Sequence, residues 1–179
     1  AIIGAGLGLS IAGMKAMVEM QFADFVSVGF NQIVNNLAKL HWRWGQNADV
    51  VVRMPTGAGT AAGPFHSQSN EAWFAHTPGL KVVYPSNAAD MKGLMKSAFL
   101  DPNPVVMLEH KGLYWSKVPG TDDAKTIEPS KDYILPLGKA AVAHAADAEK
   151  VRKGESVAVI TYGMGVYWAK QAAEQLNGR

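Results

Sequence analysis

The chain contains no cysteine, so a disulfide framework, a thiolate nucleophile and a thiolate-held metal are all excluded, and a reducing compartment is expected. Charge is scarce: charged residues make up 18% and the formal net charge is +2, which offers no electrostatic argument for nucleic acid or an anionic membrane surface as partner. Two phosphate signatures are missing. The glycine loop 57 to 63 has neither a Gly-Lys-Ser/Thr ending nor a Gly-x-Gly-x-x-Gly opening onto a helix, so it is a poor phosphate cradle. "HSQS" (66 to 69) is not a Gly-x-Ser-x-Gly elbow, which argues against a serine nucleophile. His76, His110 and His144 lack metal-ligand spacing and read as structural. The apolar opening "AIIGAGLGLSIAGMKAMVEM" has no basic flank and runs on into amphipathic sequence, so it reads as a closely packed helix rather than a leader. With no Met at its start and no helix-start signal before Ile2, the chain is expected to be a piece of a longer one.

What is present is enough for a core. With 179 residues, 48% of them hydrophobic, the chain has the size of one large domain or of one domain and part of another. Residues 2 to 13 read as a helix and 16 to 21 as a short buried strand. Phe22, Phe25, Val26, Phe30, Ile33, Val34 and Leu37 fall at three- and four-residue spacings, which predicts one long amphipathic helix. "DVVVRMP" (49 to 55) is a β-branched run suited to a strand covered on both faces. A loop (56 to 65), a helix (about 69 to 76), a strand (81 to 85), a helix (about 87 to 100) and a strand (104 to 109) follow. This alternation predicts an α/β fold, a mostly parallel sheet with helices on both faces and ligands at the carboxyl ends of the strands. From 111 to 154 the texture changes to that of hairpins or a linker, and "ESVAVITYGMGVYWAKQAAEQL" (155 to 176) restarts as strand, turn and amphipathic helix. The expected division is 1–115, a linker region 116–154, and 155–179 as the start of a second α/β domain.

His66 follows a run of small residues that admit a ligand close to the backbone, and histidine exchanges protons near neutral pH. The competing reading is a hydrogen-bonded structural histidine. Ser67 or Ser69 suits a helix N-cap. Phe22 and Phe25 beside Asp24 can offer an aromatic face, although aromatics at helical spacing usually serve a core. His41, Trp42 and Trp44 form an aromatic cluster of the kind found at interfaces. In "FLDPNPVV" (99 to 106), Asp101 and Asn103 can ring a hard or monovalent cation, though a Pro-bracketed turn needs none.

Taken in order, "EMQFADF", "NQIVNNLAK" and "HSQS.EAWFAHTPGLKVV.PS...D.KGL..SA..D.NPVV.LE", with "VAVITYGMGV" further on, resemble the beta subunit, or beta half, of the thiamine diphosphate-dependent 2-oxo acid dehydrogenases. The likeness spans about residues 1 to 115. It implies a transketolase-like pyrimidine-binding domain, oxidative decarboxylation of a 2-oxo acid and reductive acylation of lipoyl groups. It places His66 at the mouth of the cofactor channel as the catalytic residue that handles the oxo acid and acyl transfer. Phe25 takes the place of the ring that stacks on the aminopyrimidine, with Gln21 close by, and Leu100, Asp101 and Asn103 match a structural potassium site. The family's glutamate would fall two positions before Ala1. Buried against the pyrimidine, such a carboxyl has a raised pKa and favours the reactive tautomer.

The resemblance also assigns the diphosphate and magnesium elsewhere, because the Gly-Asp-Gly motif is missing; "GTDDAK" (120 to 125) lacks it. The implied partners are an alpha subunit or half and a lipoyl-bearing acyltransferase core, in a heterotetramer or a fused homodimer, with no activity for this chain alone. Nucleic acid and membrane are not expected partners. The bacterial cytoplasm stands ahead of the mitochondrial matrix as location. "QFADF" leans the substrate toward branched-chain oxo acids over pyruvate. Two rivals remain: a transketolase-type or deoxyxylulose phosphate synthase-type enzyme, which would want basic residues around 56 to 68 where only Arg53 stands near, and a non-catalytic scaffold of the same fold.

Overall fold

A computed structural model of the chain describes residues 1–114 and 118–177. Helix α1 (Ile2–Ile11) leads into strand β1 (Ala16–Glu19), and strand β2 (Val50–Thr56) follows a stretch of mixed helical turns that ends in α2 (Leu40–Trp44). Helix α3 (Glu71–Ala75), strand β3 (Lys81–Val83), helix α4 (Ala88–Leu100) and strand β4 (Val105–His110) complete the sheet, whose order is β1-β2-β4-β3 with every pair parallel. The expected α/β architecture is present.

Burial on both faces follows from the alternation of side chains along the two central strands. Val50, Val52 and Met54 of β2 and Val106 and Leu108 of β4 face a core that includes Ile3, Leu7, Val26, Ile33, Leu37 and Phe74. Val51, Val105 and Met107 face the other way, against Ala98, Met91, Leu94 and Met95 of α4. Pro55 is tolerated in β2 because it lies beyond Val50–Arg53, the part paired with β1, where a missing N–H would cost a ladder bond. Of the opening glycines, Gly6 serves close packing: a Cβ there would lie 3.0 Å from Val18 Cγ1, whereas one on Gly8 would meet open space.

The single long helix expected from Phe22 to Leu37 is not formed. Ala23–Gly29 is a 3-10 stretch, Gln32–Leu37 a π turn, and only Leu40–Trp44 continues as α-helix. The β-branched Val26 and Val28 and Gly29 are poor helix formers. Gly29 also lies close to α1, where a Cβ would come within 3.1 Å of Ile3 Cγ1. Burial of Val26, Ile33 and Leu37 is achieved all the same, so the spacing identified the buried face and misjudged the winding.

Beyond Tyr114 the chain is differently organised. Among the described residues of 118–177 there are a 3-10 turn (Asp122–Ala124), two α-helices, α5 (Ala148–Lys153) and α6 (Gly165–Asn177), and no strand. The strand expected to open at 155 is not formed: residues 155–162 carry no regular secondary structure. A small cluster of Ala124, Met164 and Tyr167 joins this region to Leu113, and the Tyr167 hydroxyl donates to the Ser86 carbonyl at 2.6 Å. Burial pushes the Tyr167 phenol up to about 12, with Asp123 and Asp90 adding to the effect. The expected boundary at 115–116 and the last two residues of the expected second domain lie outside the described residues. No helix among them is long and apolar enough to cross a membrane.

Candidate active site

Parallel strands end together, and here their carboxyl ends carry the polar side chains. Arg53, at the middle of β2 and level with the carboxyl end of β1, donates from Nε and Nη2 to the two oxygens of Glu109 on β4, each at 2.7 Å. Its Nη1 lies 3.5 Å from Glu19, the last residue of β1. Glu109 is buried and also accepts from the Tyr114 hydroxyl at 2.8 Å. This bidentate geometry compensates for desolvating the carboxylate. The hydrogen bonds to Glu109 raise the guanidinium pKa above its already high ordinary value against the opposing effect of burial. Burial raises the Tyr114 phenol, and the Glu109 charge raises it further.

Beside this network opens a cleft of about 520 Å³ whose walls include Gln21, Phe22, Arg53, His66, Lys111 and Tyr114. His66 ends a short 3-10 turn, Pro64–His66. Its imidazole stands edge-on to Phe22 and Phe25, with ring centroids 5.8 and 5.4 Å away. Phe22 caps the 3-10 stretch Ala23–Gly29 and its carbonyl accepts from the Phe25 N–H at 3.0 Å, which keeps the two aromatic residues close together. The turn is fastened from three directions. Thr56 Oγ1 and the Gly57 N–H donate to the Gln68 carbonyl, the Gln68 N–H donates to Asp24 Oδ1 at 2.9 Å, and Lys111 Nζ donates to the His66 carbonyl.

The structure thus brings His66 and Gln21 to one cleft. Phe25 is half exposed and stands behind His66 rather than in the cleft wall, where Phe22 is found. Leu100, Asp101 and Asn103 lie in the turn before β4, at the amino end of that strand and away from the cleft. Asp101 accepts from Lys81 and from the backbone and side-chain nitrogens of Asn103. Burial alone would raise its carboxyl, and these hydrogen bonds outweigh it, holding the pKa below the usual range. With three donors already on the Asp101 carboxylate, a potassium ion there would draw mainly on main-chain carbonyls. Of the remaining histidines, His110 has its pKa lowered by burial and by the neighbouring Lys111 charge. Sequence reasoning missed Lys111 and Glu109 as site residues; the signal available was a run of three polar residues, "EHK", at the carboxyl end of an apolar run.

The family model described as "Transketolase, pyrimidine binding domain" matches residues 1–116. The chain belongs to that family. The chain is 44% identical over 179 residues to the 2-oxoisovalerate dehydrogenase subunit beta of Bacillus subtilis (strain 168), a match covering 99% of the chain and 50% of the relative. It is 39% identical over 178 residues to the acetoin:2,6-dichlorophenolindophenol oxidoreductase subunit beta of Cupriavidus necator, covering 98% and 48%. Identity to the pyruvate dehydrogenase E1 component subunit beta of Rhizobium meliloti (strain 1021) is 38% over 180 residues, covering 98% and 35%. The chain therefore spans half or less of the length of these three relatives. A solved structure titled "Split gene transketolase, inactive beta4 tetramer" superposes with a TM-score of 0.50 at 24% identity, over 62% of this chain and 33% of that one, which speaks to the fold alone.

The cleft of this pyrimidine-binding domain suits the pyrimidine ring of thiamine diphosphate. Phe22 offers an aromatic surface and Gln21 an amide that can both donate and accept hydrogen bonds to a flat heterocycle. It does not suit the diphosphate or its magnesium. Both cations of the cleft are already paired with carboxylates, and among the described residues no group of three or more His, Asp or Glu side chains is arranged to hold a metal ion.

Proposed function

We propose that this chain forms the pyrimidine-facing wall of the decarboxylating component of a 2-oxo acid dehydrogenase, acting on a branched-chain oxo acid and passing the acyl group to lipoyl domains. The observation that carries the reading is the convergence of Gln21, Phe22 and His66 in one cleft at the carboxyl ends of the strands. Thiamine diphosphate, when bound, supplies the nucleophilic carbon and electron sink that decarboxylation requires. Gln21 and Phe22 would hold the aminopyrimidine, and Phe25 would back the site through His66. Of the side chains lining the cleft, His66 alone is of a type that exchanges protons near neutrality, which suits it to hand a proton to the acceptor during acyl transfer.

Branched-chain substrates are favoured because the 2-oxoisovalerate dehydrogenase relative has the higher identity of the three compared. The sugar-phosphate alternative is disfavoured by electrostatics: Arg53 is held by Glu109, and Lys111 by Asp24, which leaves neither free for a phosphate. Diphosphate and magnesium fall to an alpha subunit or half, without which the chain is inactive, and the acyl acceptor to a lipoyl-bearing acyltransferase core. Residues 155–179 are read as the start of a further α/β domain, and Leu100, Asp101 and Asn103 as a potassium site built from carbonyls. An intact mass near the sum of both subunits would identify a fused chain; a mass near a lone beta subunit would identify separate ones. A bacterial cytoplasmic setting is favoured over a mitochondrial one.

The test is decarboxylation by the full-length protein with its alpha partner, using an artificial electron acceptor and magnesium, with thiamine diphosphate present or omitted. Pyruvate and three branched-chain oxo acids serve as substrates. Cofactor-dependent turnover, fastest on a branched substrate, is expected. No turnover with the partner present would refute the dehydrogenase reading and favour the sugar-phosphate or scaffold alternative.

A further inference from the structure

His66 stands in a loop, so something other than regular structure must fix its imbedding. The fixing element is an ion pair on the inner side of the turn. Asp24 and Lys111 lie 3.4 Å apart with side chains 0% and 5% exposed. The Lys111 ammonium has three protons to place. It meets Asp24 Oδ2, the His66 carbonyl and the face of the Phe22 ring, whose centroid is 4.5 Å from Nζ. The other Asp24 oxygen accepts from the Gln68 N–H. The carbonyl before Ser67 and the amide after it are therefore tied to the two ends of one buried pair.

Such a pair contributes little net stability, because desolvation offsets most of its attraction, while removing one partner strands a buried charge. What it does supply is geometry. With its donors engaged, Lys111 is poorly placed to bind substrate although it lines the cleft. Asp24 lies between Phe22 and Phe25 in the chain, so the segment that touches the His66 ring edge-on also carries the anchor for the following residues.

We propose that Asp24 and Lys111 are positioning residues that hold the His66 imidazole at the mouth of the cleft for acyl transfer. The inference rests on the functional reading above, in which His66 serves lipoyl acylation. A test on the full-length protein with its alpha partner and thiamine diphosphate compares Lys111→Met, Lys111→Arg, Asp24→Asn and the double variant Asp24→Asn/Lys111→Met. Two rates are measured, turnover with an artificial electron acceptor and acylation of a lipoyl domain. In Lys111→Met and Asp24→Asn, kcat for lipoyl acylation should fall at least fivefold further than acceptor turnover, with Lys111→Arg recovering part of the loss. The double variant, with no stranded charge, should regain melting temperature but not the acylation ratio.

A ratio that returns together with melting temperature would show that the pair only stabilises the fold, and an unchanged ratio in a folded single variant would overturn the proposal equally. NMR of the protein labelled with ¹³C-histidine gives a readout independent of substrate, using His66→Gln to assign the signal. Lys111→Arg, or Asp24→Asn if that variant fails to fold, should move the His66 ring resonance and leave His41, His76 and His144 in place. An unmoved His66 signal would sink the clamp. Absence of oxo acid turnover in the wild-type enzyme would instead refute the functional reading.

Discussion

Two runs of nearly the same chemistry meet opposite fates in this chain. "VVVRMPT" (50 to 56) lies in the middle of the sheet, with Val50, Val51, Val52 and Met54 buried. "SVAVIT" (156 to 161) is as rich in β-branched residues, yet Val157 is 84% exposed and Ile160 96%. Intrinsic strand preference is therefore not what separates them. The first run has β1 on one side and β4 on the other, whereas the second has no strand beside it among the described residues. β-propensity expresses fit to a pleated neighbour more than a property of the backbone itself.

The sharpest way to break this comparison is to put a charge in each run. In the 179-residue chain, Val52→Asp would bury an unpaired carboxylate and should cost about 4 kcal/mol or more, whereas Val157→Asp should stay within about 0.5 kcal/mol. Urea unfolding of the two variants decides it, and equal losses would mean that the second run is as buried in solution as the first. Glycines offer a milder version. Gly79 has φ +96° and a Cβ there would overlap the Ala38 carbonyl oxygen, while Gly154 has φ +71° with open space around it. Gly79→Ala should cost roughly 3 kcal/mol and Gly154→Ala roughly 1 kcal/mol, as read from melting temperatures.

Within the sheet region itself, His66→Ala should lower lipoyl acylation about 100-fold and leave thiamine diphosphate affinity near that of the wild type; unchanged flux through the complex would contradict the acid–base role. Phe22→Ala should weaken cofactor retention about 2- to 10-fold, the equivalent of one aromatic contact, measured by equilibrium titration. The smallest effect concerns the turn before β4. The Asp101 carboxyl is depressed in the fold, so its contribution is present above the unfolded pKa of about 4 and is lost as pH falls through the lower folded value. Asp101→Asn should therefore flatten the acid limb of stability slightly and leave pH 7 to 8 without added slope, and a steeper acid limb would refute the assignment.

Legibility in the sequence followed the range of the interaction. β2 and β4 were readable because a parallel, doubly covered strand writes its burial as a continuous apolar run. The segment from Phe22 to Leu37 was half readable, because three- and four-residue spacings mark a buried face whether the backbone winds as α, 3-10 or π. His66 stood out by its setting, but not its support. Asp24 and Lys111 are 87 positions apart, and no local pattern pairs two residues across that distance. Arg53 and Glu109, 56 positions apart, escaped notice as a pair for the same reason. The hairpins or linker expected over 116–154 met a region whose described part has no strand, where composition alone was uninformative about contacts.

The three-way fastening of the His66 turn also has a consequence in time. Its anchors lie 12, 44 and 45 positions from the groups they hold, and the two distant ones sit on segments that follow β1 and β4. Contacts across long loops cost closure entropy before they reward it. The His66 turn can therefore be seated only after both strands have joined the sheet, and recovery of acyl transfer during refolding should lag behind recovery of secondary structure.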